Sequence, residues 1–246
     1  MFDLWLLLFQ VTFSAVAYLS LCNFDPIIAQ GTFITIIAPT AAAAIAVSLI
    51  LGANVTTMTT YLISCNLMVA IAAPLSFTWM NTGTHMVFLD SFLTILGKVF
   101  PLLLIPFFIA FLLQQLWPRA NMFIKRHKNL SFYTWAVSLT IVISRSIGMI
   151  IEEFQTHRTT FLWMVLISMT LCAIQFAVGK SIGKRYGDKV AGGQALGQKN
   201  TVLAIWMSQM YLNPLSSVIP TLYVIWQNLY NSYQMIQHER RENKHN

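Results

Sequence analysis

Long apolar stretches separated by short polar ones fill almost the whole chain. About 20 apolar residues are enough for an α-helix to cross the hydrocarbon core of a bilayer. The pattern therefore predicts an all-α, polytopic membrane helix bundle that forms a single transmembrane domain, with a short tail over residues 237–246. The predicted membrane helices are Leu4–Cys22, Ile28–Leu51, Val55–Trp79, Phe88–Trp117, Leu130–Ile151, Phe161–Gly179, Val190–Leu212 and Leu215–Ile236.

Composition agrees with this prediction. Of the 246 residues, 57% are hydrophobic and 9% are charged, whereas soluble domains carry about 25% charged residues. The net charge of +7 comes from Lys and Arg in alternate loops, after the fourth and sixth predicted helices and after the eighth. Basic loops stay in the cytoplasm, so we expect a cytoplasmic (inner) membrane location with both termini in the cytoplasm. The expected partner is the lipid bilayer, and no nucleic acid is expected; the oligomeric state stays open.

Two of the predicted helices look interrupted. Proline removes a backbone donor and breaks or kinks a helix, and Pro39 lies in the middle of the second predicted helix, before Thr40 and a run of alanines. The seventh begins with glycines and polar side chains. Irregular polar backbone at membrane depth survives where it surrounds a cavity or a site, and paired interruptions mark binding sites in transporters. The candidate substrate- or ion-binding residues are Pro39, Thr40, Asn66, Gln194, Gln198, Lys199, Asn200 and Thr201.

Several of these residues have two interpretations. Lys199 either fixes the charge of the site or extends its amine to the cytoplasmic face. Gln194, Gln198 and Asn200 either bind a ligand or satisfy the interrupted backbone around them. Asn66 either lines a cavity or joins two helices by a hydrogen bond. Arg145 attracts an organic anion, pairs with Glu152 or reaches the interface.

The sequence offers little support for catalysis. The histidines fall in predicted loops or in the tail, and no pair has the spacing of metal ligands on one helix. There is no nucleophile elbow and no Gly-rich phosphate loop that ends in Lys-Ser or Lys-Thr. We therefore expect no enzymatic activity, no catalytic residues, no metal site and no cofactor.

The segments that carry a resemblance are Pro39 with its run of small residues, Pro74 in APLSF, and GQKNTVLAIW, NPLSSV and YVIWQNLYNSY near the end. In this order and at these helices, the chain resembles the bile acid:sodium symporter family. The resemblance implies ten helices in two inverted repeats of five, and a core with two crossing broken helices that moves against a panel. It also implies organic anions as substrates, sodium as the coupling ion, and two further helices before the start of this chain.

The chain departs from the family where the family binds sodium. Sodium prefers oxygen ligands, but a methyl group at Ala195 replaces the family's glutamate, and Lys199 replaces its glutamine. The family's Ser-Asn pair becomes Ala44 and Ile45, and its Ser-Thr pair becomes Val69 and Ala70. The sequence therefore predicts a secondary active transporter of a small organic solute, expected to be anionic, with sodium a poor fit. The alternatives are a non-transporting or degenerate paralogue with a receptor-like or truncated form, and a proton-coupled or uniport carrier.

Overall fold

The computed structural model describes residues 1–80, 88–119, 122–123 and 158–245, with isolated positions between 137 and 155. These residues are almost entirely helical and include no β-strand. In chain order the helices are α1 (Phe2–Leu21), α2 (Pro26–Ile37), α3 (Ala43–Ile50), α4 (Val55–Met80), α5 (Phe88–Leu116), α6 (Arg158–Arg185), α7 (Lys189–Gly197), α8 (Thr201–Tyr211), a 3₁₀ turn (Pro214–Ser217) and α9 (Val218–His245).

Four of the described helices are long and apolar enough to cross a membrane: α1, α4, residues Leu89–Leu116 of α5, and α6. Large apolar side chains stand exposed along them, for example Leu162, Leu166 and Met169 on α6. Such continuous apolar surface is unfavourable in water and fits a lipid environment. The chain is therefore an all-helical, multi-pass membrane protein, which agrees with the coarse prediction from the sequence.

Both helices predicted to be interrupted are divided in two. The second predicted helix becomes α2 and α3, and the seventh becomes α7 and α8. Gly192 and Gly193 lie inside α7, so the irregular backbone is shorter than expected and is confined to Gln198–Asn200. The predicted tail is helical as far as His245. Most of the predicted helix Leu130–Ile151, including Arg145, lies outside the described residues.

The chain forms two compact units. One consists of residues 1–65 and 146–246, and it contains both interrupted helices. The other consists of residues 66–145 and contains the second half of α4 together with α5. In this unit Pro74 lies within α4, and Pro101 and Pro106 lie within α5.

Glycines bring α6 and α7 into direct backbone contact in the first unit. A Cβ atom on Gly192 would overlap the carbonyl oxygen of Gly179 and come within 2.7 Å of the Cα atom of Gly183. Small residues allow this approach between membrane helices. Asp188 begins α7 by accepting a hydrogen bond from the backbone N–H of Ala191 at 2.8 Å, at the end of the helix that lies farther from the interruption.

Candidate functional site: the paired breaks

The two interruptions of the first unit, Ala38–Ala42 and Gln198–Asn200, are joined by their backbones; we call them the paired breaks. The N–H of Ala41 donates to the carbonyl of Gln198 at 2.9 Å, and the N–H of Asn200 donates to the carbonyl of Pro39 at 2.8 Å. Thr40 and Lys199 face each other in an antiparallel bridge between these two hydrogen bonds. Backbone groups that have no partner within their own interrupted helix are thus hydrogen-bonded to the backbone of the other break.

A proline and a glutamine produce and stabilise the first break. Pro39 has no N–H to donate, and the residue before a proline is driven to an extended conformation; Ala38 has φ −48° and ψ 140°. The side-chain amide of Gln10 donates to the carbonyls of Ile37 and Ala38 at 2.8 and 3.1 Å. Tyr61 in turn donates its hydroxyl to the Oε1 atom of Gln10 at 3.0 Å. The end of α2 is therefore satisfied by a side chain from α1, which is held in turn by a side chain from α4.

The second break has no proline and depends on more side chains. The Tyr223 hydroxyl donates to the carbonyl of Gly197 at 2.7 Å, and it accepts a hydrogen bond from Gln175 at 3.2 Å. The backbone N–H of Lys199 donates to the Oε1 atom of Gln227 at 3.1 Å. The backbone at the end of α7 and in the break is therefore satisfied by side chains from α9, one of which is held by Gln175 from α6.

Two of the predicted amides are connected through Asn231. The side chain of Gln194 donates to the Oδ1 atom of Asn231 at 2.9 Å, and Asn231 donates to the Oε1 atom of Gln198 at 2.9 Å. The three side chains are buried, and in the described part of the chain the Oε1 atom of Gln194 has no hydrogen-bond partner. The network orients Gln198 beside the break and leaves one buried acceptor unused.

Lys199 is the charged residue of the paired breaks. Its side chain is 1% exposed, so its amine does not extend to the surface as the alternative interpretation required. Among the described residues, the Nζ atom has no hydrogen-bond partner, and no carboxylate forms an ion pair with it. Across the bridge, the Thr40 hydroxyl donates to the carbonyl of Ala195 at 2.6 Å. Buried charges in proteins are normally paired, which makes this amine unusual.

The remaining predicted residues differ in position. Asn200 accepts a hydrogen bond from the N–H of Leu203 at 3.2 Å and thereby caps α8. Thr201 is the first residue of α8, is buried, and donates its N–H to the carbonyl of Lys199 at 2.9 Å. Asn66 is buried on α4 but belongs to the unit of residues 66–145. Its role in binding therefore stays a prediction.

Sequence reasoning missed the side chains that surround the paired breaks. They share one signal, a hydrogen-bonding group inside an otherwise apolar helix, which is costly in lipid unless it is satisfied. Gln10 within LLLFQVTF and Gln175 within LCAIQFAV are the clearest cases. The missed residues are Gln10, Tyr61, Gln175, Tyr223, Gln227 and Asn231.

The residues of the paired breaks include no His, Cys, Asp or Glu side chain. Within the described part of the chain, no group of three or more His, Cys, Asp or Glu side chains could hold a metal ion. One cavity of about 400 Å³ lies between Ile50 and the C-terminal part of α9, and none of the predicted site residues lines it. Within the paired breaks, Thr40, Gln198 and Lys199 are buried, whereas Ala42 is exposed.

Fold and site together define a multi-pass helical membrane protein with two interrupted helices joined around a buried lysine. No protein-family model and no curated protein matches the chain.

Proposed function

We propose that the chain is a secondary active transporter of a small organic solute, of the bile acid:sodium symporter type. The observation that carries the proposal is the pair of interrupted helices whose breaks meet at Thr40 and Lys199. Broken helices that meet at a polar site are a recurrent way to build the binding site of a secondary transporter. Keeping such backbone at membrane depth requires the dedicated side chains described above, which a purely structural helix would not need.

The order of helix lengths supports an inverted repeat. The series α1 to α4 runs long, short, short, long, and so does the series α6 to α9. In each series a glutamine of the first helix is hydrogen-bonded to a tyrosine of the last, on either side of the break: Gln10 with Tyr61, and Gln175 with Tyr223. We take each series as one repeat of the same four-part unit.

The outer ends of the broken helices show the same correspondence between the two series. Asn54, after α3, donates its N–H to the carboxylate of Asp188 at the start of α7, at 2.8 Å. Asn213, after α8, donates its N–H to the side chain of Gln30 in the first turns of α2, at 2.9 Å. Asn54 follows Thr40 at the same interval as Asn213 follows Lys199. The two broken helices therefore run in opposite directions, as an inverted repeat requires.

Transport follows from moving one group of helices against another. Such a movement would expose the paired breaks first to one side of the membrane and then to the other. The basic loops and the basic tail orient the chain with both termini in the cytoplasm. We accordingly place the protein in the cytoplasmic membrane.

The test is solute uptake by purified protein in proteoliposomes. Radiolabelled taurocholate and a panel of small carboxylates serve as probes, with sodium, proton or no ion gradient. We expect uptake of at least one probe above the rate of empty liposomes, and loss of that uptake in Thr40→Trp, whose bulk fills the junction of the breaks. Folded protein that takes up none of the probes under any gradient would contradict the proposal.

A second candidate is a membrane protein that binds a solute without moving it. Ala195 and Ala44 are fully buried at positions where the family that the chain resembles has polar residues, and they favour a site that has lost its coupling ion. Saturable binding of a probe to the detergent-solubilised protein, together with no flux in proteoliposomes, would favour this candidate. Flux that responds to a proton gradient or to no gradient would instead identify a proton-coupled carrier or a uniporter.

A further inference from the structure

Four helix ends meet at the paired breaks, and their charges cancel. α2 and α7 end there, whereas α3 and α8 begin there. Each helix carries roughly half a negative charge at its C-terminal end and roughly half a positive charge at its N-terminal end. Two ends of each kind leave the backbone neutral. The ammonium group of Lys199 therefore adds a full positive charge that the helix ends do not balance.

Four described carboxylates of the first unit lie at a distance from the paired breaks along their helices. Asp25 and Asp188 cap the outer ends of α2 and α7 and accept hydrogen bonds from backbone N–H groups there. At 1.5 Å per residue, those ends lie about 18 and about 13 Å along the helices from the breaks. Asp3 lies about 10 Å before Gln10 on α1, and Glu239 lies about 12 Å after Asn231 on α9.

Two further features of the paired breaks suit a negative charge. The Nζ atom of Lys199 is buried and has no hydrogen-bond partner among the residues that the structure describes. The helix α3 begins after Ala42 without a side-chain cap, whereas Asn200 caps α8. The first N–H groups of a helix are natural anion ligands. An unpaired ammonium inside a protein is strongly unfavourable, and pairing with an anion would offset part of that cost.

We propose that the paired breaks bind one monovalent anion, the carboxylate of the transported solute, with Lys199 as its only cationic partner. This inference rests on the proposed function and adds to it the residue that balances the charge of the solute, Lys199. The positive charge that balances the carboxylate then comes from Lys199. No metal cation is therefore bound together with the anion. Binding is then independent of sodium.

The experiment compares charged and neutral ligands of similar shape. The midpoint of thermal unfolding of the purified protein in detergent is measured with acetate against acetamide and with benzoate against benzamide. Each anion is supplied as its sodium salt and as its choline salt. We expect at least one anion to raise the midpoint by several degrees, equally with both cations, while its neutral amide has no effect.

Lysine variants locate the anion. Lys199→Met keeps the length of the side chain without its charge and should lose the response. Lys199→Gln is a second neutral variant should Lys199→Met fail to fold, and Lys199→Arg should retain the response. Lys180→Met is the matched control, because the Lys180 amine is already bonded to the Tyr230 hydroxyl at 2.7 Å; its response should equal that of the wild type.

The outcomes separate this inference from the transport proposal. An unchanged response in both neutral Lys199 variants, a response that requires sodium, or no response to any anion would overturn the anion site. Solute flux without anion-dependent stabilisation would leave the transporter proposal standing. Anion-dependent stabilisation without flux would support the site and reject transport.

Discussion

The two breaks differ in what interrupts the helix and in which side chains bond the free backbone groups. At the first, the covalent structure of Pro39 ends the helix, and one glutamine, Gln10, satisfies the carbonyls at the end of α2. At the second, no residue forbids a helix, and Tyr223 and Gln227 hold the backbone through hydrogen bonds. The first break is determined locally, whereas the second is maintained by the helices around it.

This difference suggests which break carries the polar and charged groups of the site. A break made by proline needs few polar neighbours, and the residues after Pro39 are mostly alanine. A break held by hydrogen bonds gathers polar groups, among them the amides that Asn231 connects and the amine of Lys199. We infer that the first break supplies shape and that the second supplies charge and hydrogen bonds.

The largest expected effect concerns the helix that precedes the second break. In Gly192→Ala the new methyl group would overlap the backbone of Gly179, which cannot move aside as a side chain would. Overpacking of this kind typically costs 1–3 kcal/mol and occasionally more, and here we expect about 3 kcal/mol or more of lost unfolding free energy. Reversible denaturation in mixed detergent micelles measures it.

Alanine substitutions at two other glycines provide a comparison for the loss of stability in Gly192→Ala. A methyl group on Gly31, in α2, would meet the carbonyl oxygen of Ser216 at 2.6 Å and the flexible side chain of Ile219. Gly31→Ala should therefore be destabilising but less so than Gly192→Ala. Gly97 on α5 has open space around it, and Gly97→Ala should be neutral or stabilising. Equal losses at Gly31 and Gly192 would show that the two broken helices are held equally tightly.

Intermediate losses of unfolding free energy are expected for the glutamine and the tyrosine beside each break. The residue that bonds the backbone directly is a glutamine at the first break and a tyrosine at the second. Gln10 bonds the carbonyls of the first break directly, and Tyr223 does so at the second. A buried group left without a partner costs about 1–3 kcal/mol. We expect Gln10→Leu and Tyr223→Phe each to lose about 2 kcal/mol of unfolding free energy. Their more distant partners should lose about 1 kcal/mol, in Tyr61→Phe and Gln175→Leu.

Thermal or detergent denaturation of the four variants tests this order. The comparison is internally controlled, because each residue type appears once as a direct and once as an indirect partner of a break. If both tyrosine variants lost more than both glutamine variants, residue type would explain the result better than position. The proposed correspondence between the two breaks would then be wrong.

The smallest effect belongs to the outer ends of the broken helices. Asp188 caps α7 and also accepts the N–H of Asn54, whereas Gln30 accepts a single N–H from Asn213. Loss of a cap costs about 1 kcal/mol, so Asp188→Ala should lower the unfolding free energy by about that amount. Gln30→Ala should cost about half as much. Asp188→Asn keeps an acceptor and should lie near the wild type; a loss equal to that of Asp188→Ala would contradict the capping role.

Much of the site was predictable, but its surroundings were not. Pro39, Thr40 and Lys199 follow from polar or helix-breaking residues within apolar runs, and the structure brings them together. Gln10 and Tyr223 could not be assigned to the breaks, because a polar residue inside a helix has many potential partners. Which carbonyl it reaches depends on how helices far apart in the chain pack.

The sequence by itself determined that this is a helical membrane protein and that the first broken helix is interrupted near Pro39. Apolar length and the missing N–H of proline are properties of a segment and need no partner. Tertiary structure decided where the second break falls. Glycines weaken a helix, yet Gly192 and Gly193 remain helical because α6 packs against them, and the break occurs at Gln198–Asn200, where other helices bind the released backbone. Tertiary structure also placed Thr40 opposite Lys199, since backbone hydrogen bonds between distant segments form only after those segments meet.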